Sequence, residues 1–388
     1  MISLLSKWFI KDSENVHNPA VRQAYGVLCG AVGIGFNILL FAGKFVAGFL
    51  SGSIAITADA LNNLSDAASS VITLIGFRMA GQKPDPDHPF GHGRIEYLSG
   101  LLVAIAILFM AWELIKSSFD KILHPETVTC NPLIIGILLV SILVKLYMAF
   151  YNRSISKKID SAAMKATATD SLSDTLATTV VLLSTLCAYF WGFKIDGYCG
   201  ILVGFFILYA GIQAAKDTVS PLLGQPPAPG FVQQIEDLVM SHEGIIGIHD
   251  LIVHDYGPGR LMISLHAEVP ADCDILSMHD LIDNIEHDLR HDLQCEAVIH
   301  MDPVCTNDEE TIHMKQTVKE IVAGIDSRLS LHDFRIVKGP THTNVIFDLV
   351  IPYKFEYSDA ETVEIIQEKI QECNPTYFAV IDVDRNYS

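Results

Sequence analysis

Apolar residues crowd the first part of the chain into six long runs, at about 27–50, 54–79, 97–115, 132–150, 163–190 and 198–215. As helices, runs of about 20 residues match a hydrocarbon core roughly 30 Å thick, so the pattern predicts six membrane-spanning helices. A tight Ser51-Gly52-Ser53 connection joins the first two. Lys44 and Lys145 interrupt otherwise apolar runs. Lys145, near one end of its run, is expected to snorkel toward water on its long stem, and Lys44 is either a buried partner or a second snorkeller. Ahead of the first run, Ile2, Leu5, Trp8 and Phe9 fall on one side of a short helix beside Lys7 and Lys11. No small-residue cleavage pattern follows, so the segment reads as an in-plane anchor or an apolar tail rather than a signal peptide.

The period changes after a Pro- and Gly-rich boundary at Gly224-Gln-Pro-Pro-Ala-Pro-Gly230. An amphipathic helix at 231–242, strands at 248–256 and 261–269 around Gly257-Pro258-Gly259, a helix at 276–291 and a strand at 296–301 give the order αββαβ. That order recurs. Gly257-Pro258 through Pro270 corresponds to Gly339-Pro340 through Pro352, and Ala297 through Asp302 to Ala379 through Asp384, both at an offset of 82 (339 minus 257; 379 minus 297). One offset over two separate blocks indicates duplication. The expected fold is therefore an α-helical membrane protein, a six-helix bundle followed by an α+β domain in two tandem copies. Its parts are an N-terminal segment 1–22, the bundle 23–218, a linker 219–230, the first αββαβ domain 231–304 and the second 305–388.

Composition agrees with a membrane protein: 388 residues, half of them hydrophobic and only 18% charged. The formal charge of −19 concentrates in the C-terminal part, which would attract cations and not nucleic acid. Lys7, Lys11 and Arg22, then Arg78, Lys83 and Arg94, then Arg153, Lys157, Lys158 and Lys165 fall on one side of the predicted bundle, placing both termini in the cytoplasm; Lys116 and Lys121 run against this count. Eight scattered cysteines have neither disulfide nor zinc-thiolate spacing and read as buried thiols.

Two apolar runs carry oxygen-bearing pairs four residues apart, Asn62 with Asp66 and Asp170 with Asp174. On a helix each pair shares a face, so two packed helices would offer four oxygens to one point. An ionisable group inside a membrane is expensive and points to function. The neighbouring Asp59 and Asn63 fall on other faces and read as capping or helix-contact residues.

Taken together, the six-helix plan, these pairs, the loop Asp85-Pro-Asp-His88-Pro-Phe-Gly-His92-Gly-Arg-Ile-Glu96, and the elements His249-Asp250, His266-Ala-Glu268 and Ile299-His300-Met-Asp302 resemble the cation diffusion facilitator family of divalent-metal exporters. The resemblance covers roughly residues 20–304. It implies a homodimer in the lipid bilayer of the cell membrane, a transporter rather than an enzyme, metal exit coupled to proton entry, and a metallochaperone-like cytoplasmic domain. It places the transport site on Asn62, Asp66, Asp170 and Asp174, an auxiliary loop site on Asp85, His88 and His92, and a binuclear cytoplasmic site on His249, His266, His279, His300 and Asp302. The loop residues also admit the reading of a solvated turn.

Zinc-transporting members usually carry His or Asp at the position of Asn62 and His at that of Asp170, and this chain has neither imidazole. An amide and three carboxylates suit a harder, oxygen-preferring ion, so the pattern resembles the manganese branch; the His-rich cytoplasmic set favours zinc-like ions such as Zn²⁺ and pulls the other way, but a cytoplasmic site can hold a different metal from the one transported. Export of Zn²⁺, Fe²⁺ or Co²⁺ is the alternative within the family. Outside it stand a membrane-tethered metal sensor and an intramembrane aspartyl protease; the protease leaves the paired oxygens and histidines without a role. Beyond the resemblance, the offset carries the cytoplasmic ligand positions onto His332, Asp348, Glu361, Asp382 and Asp384, with one residue of slippage at His332. Either the copy has lost its metal site or it forms a second, oxygen-rich one.

Overall fold

The computed structural model describes residues 2–16, 18–51, 54–124, 132–191, 196–304, 308–339 and 341–385. It divides into two units, Met1–Gln225 with Asp255–Arg260, and Pro226–His254 with Leu261–Ser388. The predicted connection at 52–53, Cys130, Cys305 and Pro340 lie outside the described residues.

In the first unit a short α1 (Ile2–Phe9) precedes α2 (Pro19–Ser51), α3 (Ile54–Ala80), α4 (Ile95–Leu123), α5 (Pro132–Lys158), α6 (Ala162–Trp191) and α7 (Asp196–Leu223). Four of these, α2, α4, α5 and α7, contain stretches long and apolar enough to cross a membrane. Helices α3 and α6 are as long but carry the polar residues: Asn63, Asp66, Ser70 and Thr73 on one, Thr167, Asp170 and Ser171 on the other, all buried. Leu102, Phe109, Leu143, Phe150, Leu202 and Phe205 on α4, α5 and α7 are exposed. That distribution is inverted relative to a water-soluble bundle and is the one a hydrocarbon solvent selects.

Small residues let the helices approach. A Cβ added at Gly30 of α2 would sit 2.8 Å from Leu74 Cβ of α3, and one at Gly100 of α4 would sit 2.9 Å from Ala163 Cα of α6. Thr73 and Thr167 share a 3.0 Å hydroxyl hydrogen bond between α3 and α6. At one end of the bundle Arg22 pairs with the buried Glu96 through its two terminal guanidinium nitrogens and donates from Nε to the Ile159 carbonyl at 2.7 Å, while Ser161 Oγ donates to Glu96 Oε1 at 2.6 Å. With its oxygens occupied, the Glu96 charge is tolerated inside.

The helices outrun the apolar stretches because a helix continues through polar flanks that hydropathy does not register. Helix α7 accordingly continues to Leu223, with Pro221 inside it, so the expected linker 219–230 shortens to the stretch between Leu223 and the next helix at Pro229. Lys145 does not snorkel: its side chain is 3% exposed. Lys44 is likewise buried. Among the described cysteines, Cys29 and Cys295 are buried as expected, whereas Cys187, Cys199 and Cys273 are half-buried and Cys373 is exposed.

The second unit contains α8 (Pro229–Met240), β1 (Gly247–Asp255), β2 (Leu261–Pro270), α9 (Ile275–Asp292) and β3 (Cys295–Val304), then α10 (Glu309–Ile325), β4 (Ser330–Lys338), β5 (Thr343–Val350), α11 (Asp359–Cys373) and β6 (Tyr377–Asp384). Two three-stranded sheets result, ordered β1-β2-β3 and β4-β5-β6. Burial alternates residue by residue along β2 and β5, so each sheet has an inner face covered by its own helices. Ile235, Leu265, Ile285 and Leu289 centre one core; Val318, Phe347, Leu349 and Ile366 centre the other. Helices α9, α10 and α11 begin at Asp274, Asp308 and Ser358, whose side chains accept from backbone N–H groups of the first turn.

Candidate functional site

Helices α3, α5 and α6 bring Asp66, Lys145 and Asp174 to one point: Lys145 Nζ donates to Asp66 Oδ2 at 2.7 Å and to Asp174 Oδ2 at 2.6 Å. Asp170, one turn before Asp174 on α6, is 4% exposed, and its Oδ1 has no hydrogen-bond partner. The three carboxylates and the ammonium lie close enough for their charges to act on one another. Asn63 Nδ2 donates to Asp66 Oδ2 at 3.3 Å, and Asn63 Oδ1 is buried without a partner. Asn62 is exposed. Of the four expected ligands, three therefore gather in the bundle, and the buried amide beside them is Asn63, one position on. Residues 62 and 63 differ by 100° around a helix, and spacing from Asp66 alone, four against three, does not choose between them. Lys145 was missed as a site residue. The readable signal was a lysine inside an apolar run with two intramembrane carboxylate helices available as partners.

In the loop before α4, Asp85 Oδ1 lies 3.4 Å from His88 Nδ1 and Asp85 Oδ2 3.4 Å from His92 Nε2, with the imidazole rings 4.6 Å apart. The backbone N–H of His88 donates to Asp85 Oδ1 and, with the two imidazoles, outweighs a small burial effect to lower the carboxyl pKa. His92 Nδ1 is buried and unpartnered. The three residues can present one donor each to a shared ion.

In the α/β unit, register determines which side chains meet. His266 of β2 stands beside His300 of β3, and Asp302 follows two residues on, on the same face. His266 Nδ1 lies 2.9 Å from Asp302 Oδ2, His249 Nε2 3.1 Å from the same oxygen, and the more exposed His300 3.3 Å from Asp302 Oδ1. Burial opposes protonation of His249, but the carboxylates of Asp250, Asp302 and Asp333 outweigh it and raise its pKa. Asp250, 3.4 Å from His249 Nδ1, is held in the charged form chiefly by that ring. His279 does not join them: it is an exposed residue near the start of α9.

The sheet β4-β5-β6 places His332 on β4 opposite Asp348 on β5, and Asp348 beside Asp382 on β6. His332, Asp348 and Asp384 converge. Asp382 is exposed. Glu361 caps α11, its carboxylate accepting from Ser358 N at 2.8 Å and Ser358 Oγ at 2.7 Å. A helix start thus claims the side chain that the offset assigned to metal. Asp250, not counted among the ligands from sequence, belongs with these residues, and its φ of 52° matches the 53° of Asp333 after His332.

Residues 31–223 match the family model described as the cation efflux transmembrane domain, and 227–304 match the cation efflux protein cytoplasmic domain. An uncharacterized transporter of Methanocaldococcus jannaschii is 32% identical over 69% of this chain and 95% of its own length. The cation-efflux pump FieF of Yersinia pestis is 30% identical and that of Serratia proteamaculans 29%, each over 69% of this chain and 89% of the relative. The chain belongs to the cation efflux family. It is a cation efflux transporter, a membrane protein and not an enzyme, with a helical transmembrane domain and an α/β domain of the family's cytoplasmic type. The carboxylates of α3 and α6 place negative charge within the matched transmembrane domain, and Asp170 adds a buried oxygen without a hydrogen-bond partner. Neither family model reaches the sheet β4-β5-β6.

Proposed function

We propose that this transporter exports divalent metal ions, Mn²⁺ foremost, from the cytoplasm in exchange for protons, by alternating access in a homodimer. In this reading all of α2 through α7 cross the cell membrane, both termini lie in the cytoplasm, and the α/β unit is a cytoplasmic tandem repeat. The observation that carries it is the joining of Asp66 and Asp174 through Lys145, with the buried Asp170 one turn from Asp174 on α6 and no imidazole at that point among the described residues. Oxygen donors favour hard ions and withhold the nitrogen that strengthens Zn²⁺ binding. Lys145 is the cation that holds Asp66 and Asp174 together between rounds. An incoming ion displaces the ammonium from the two carboxylates, and protons arriving from the outward side loosen the ion in turn.

Zn²⁺, Fe²⁺ or Co²⁺ as cargo is the second reading, favoured by the imidazoles of His249, His266 and His300. Purified transporter in inside-out vesicles, with Mn²⁺, Zn²⁺, Fe²⁺ and Co²⁺ compared and lumenal pH followed, tests both. Mn²⁺ uptake exceeding Zn²⁺ uptake and accompanied by alkalinisation of the lumen is expected. Zinc uptake in excess of manganese overturns the cargo assignment, and metal uptake without a pH change overturns the coupling.

A further inference from the structure

The two α/β copies meet through the very side chains that could hold metal. The His249 and His332 rings stack with centroids 4.2 Å apart and planes at 24°. Both side chains are 8% exposed, and none of their four ring nitrogens makes a well-formed hydrogen bond. Carboxylates surround them instead. His249 Nδ1 faces Asp250 Oδ2 at 3.4 Å and its Nε2 faces Asp302; His332 Nε2 faces Asp250 Oδ1 at 3.4 Å and Asp384 Oδ2 at 3.5 Å, and its Nδ1 faces Asp348 Oδ2 at 4.0 Å. Asp250 therefore turns one oxygen toward each copy. Three donor groups form a continuous series, His249-His266-Asp302, His249-Asp250-His332 and His332-Asp348-Asp384.

Spacing and charge both argue for cations here. Separations near 3.4 Å are long for hydrogen bonds, yet ligands about 2.05 Å from a tetrahedral ion stand roughly 3.3 Å from one another. Four carboxylates, Asp250, Asp302, Asp348 and Asp384, converge, and no lysine or arginine among the described residues forms an ion pair with any of them. Two divalent ions would balance them in formal charge. Burying imidazoles whose ring nitrogens make no hydrogen bond costs stability unless a ligand completes them.

We propose that the two α/β copies share one multinuclear divalent-cation centre: His332, Asp348 and Asp384 hold one ion beside another held by His249, His266 and Asp302, with Asp250 linking the two. The second copy supplies ligands in cis, so the cation closes an interface within a single chain. Mixed imidazole and carboxylate donors select a first-row divalent ion over Ca²⁺ or Mg²⁺. The proposal concerns bound metal and stands whether or not the cargo is Mn²⁺.

The test uses the full-length protein in detergent, with Asp66→Asn and Asp174→Asn introduced so that the membrane site does not contribute. Equilibrium dialysis against Mn²⁺ or Zn²⁺, with bound metal counted per chain, is compared with the same protein carrying His332→Gln, Asp384→Asn or Asp250→Asn. His332→Gln and Asp384→Asn should each remove one ion per chain or weaken it by at least about 10-fold, the least that losing even an outer-shell partner costs, and Asp250→Asn should weaken both ions. Paramagnetic resonance of the Mn²⁺-loaded protein should show two coupled ions, and His332→Gln should return the spectrum of an isolated ion. Should His332→Gln fail to fold, the half-exposed Asp384 provides the same comparison. Unchanged stoichiometry and affinity in the foldable variants, or uncoupled Mn²⁺ spectra at full loading, overturns the shared centre. An absence of flux in vesicles, by contrast, counts against the transport reading alone.

Discussion

Carboxylates gather both in the helical unit and in the α/β unit, but they are neutralised by different means. In the helices a lysine on α5 lies between Asp66 and Asp174 at hydrogen-bonding distance. In the α/β unit the partners of Asp250, Asp302, Asp348 and Asp384 are imidazoles: His266 bonds Asp302 at 2.9 Å, and the contacts of His249 and His332 with these carboxylates are longer. If the helical site moves cations and the α/β site holds them, as proposed above, the contrast follows from what each place must do. A site that releases its cargo inside a membrane cannot leave carboxylates bare, and an ammonium on a flexible stem can step in and out. A site that retains its ion has no need of a substitute, and imidazoles tighten its hold.

The largest expected effect removes the membrane charge itself. Asp66→Asn or Asp174→Asn keeps shape and one oxygen but loses a charge and a proton site, so metal flux and its proton movement should fall by more than the roughly 10–100-fold typical of losing an outer-shell partner. Vesicle uptake with a pH indicator measures both, and either variant transporting like the parent would remove that residue from the site. Lys145→Met sharpens the comparison. Without the ammonium the carboxylates face one another, so the variant should unfold at a lower temperature without metal, regain more stability than the parent on adding Mn²⁺, and turn over more slowly, with half-saturation at about 10-fold lower Mn²⁺. Lys145→Arg should lie nearer the parent. An unchanged half-saturation point in Lys145→Met makes the lysine a structural counter-ion only.

Selectivity is expected to respond next. Asp170→His places an imidazole beside Asp66 and Asp174 and should shift the Mn²⁺ to Zn²⁺ uptake ratio toward zinc by about 10-fold, a change of roughly 1.4 kcal/mol. Asn62→His starts from an exposed position and should shift it less. Asn63→Ala, which removes a buried carbonyl and a donor to Asp66, should reduce Mn²⁺ uptake more than Asn62→Ala does; the reverse order would restore Asn62 to the site.

Much of this arrangement was legible in the sequence because it rests on periodicity. The i,i+4 relation of Asp170 and Asp174, the αββαβ order and the 82-residue offset are all one-dimensional signals that local structure preserves. What escaped depends on packing across elements. That Lys145 bonds Asp66 and Asp174 is a property of three helices together, and no window along α5 contains it. Asn62 and Asn63 differ only in which way α3 is turned, which its neighbours decide. The offset is 83 rather than 82 at His332 because β4 runs one residue fewer from its imidazole to Gly339 than β1 runs from His249 to Gly257, a difference that the strand pairing absorbs without moving His332 from its place opposite Asp348.

Glu361 shows the same limit on the smallest scale, because the offset aligns it with His279 while the structure gives each another setting. His279 is exposed on α9, and Glu361 closes a capping box with Ser358 at the start of α11, its carboxyl pKa lowered by the Ser358 hydroxyl and backbone N–H donors. A capping carboxylate completes orphan N–H groups and favours the positive end of the helix dipole, a local role that needs no cation. Glu361→Gln keeps the reach and much of the hydrogen bonding, while Glu361→Ala loses both. Melting temperature should therefore stay near the parent in the first and fall by a few degrees at most in the second, with the number of ions bound per chain equal in all three proteins. Loss of an ion in Glu361→Ala at unchanged melting temperature would instead make Glu361 a ligand and extend the shared centre along α11.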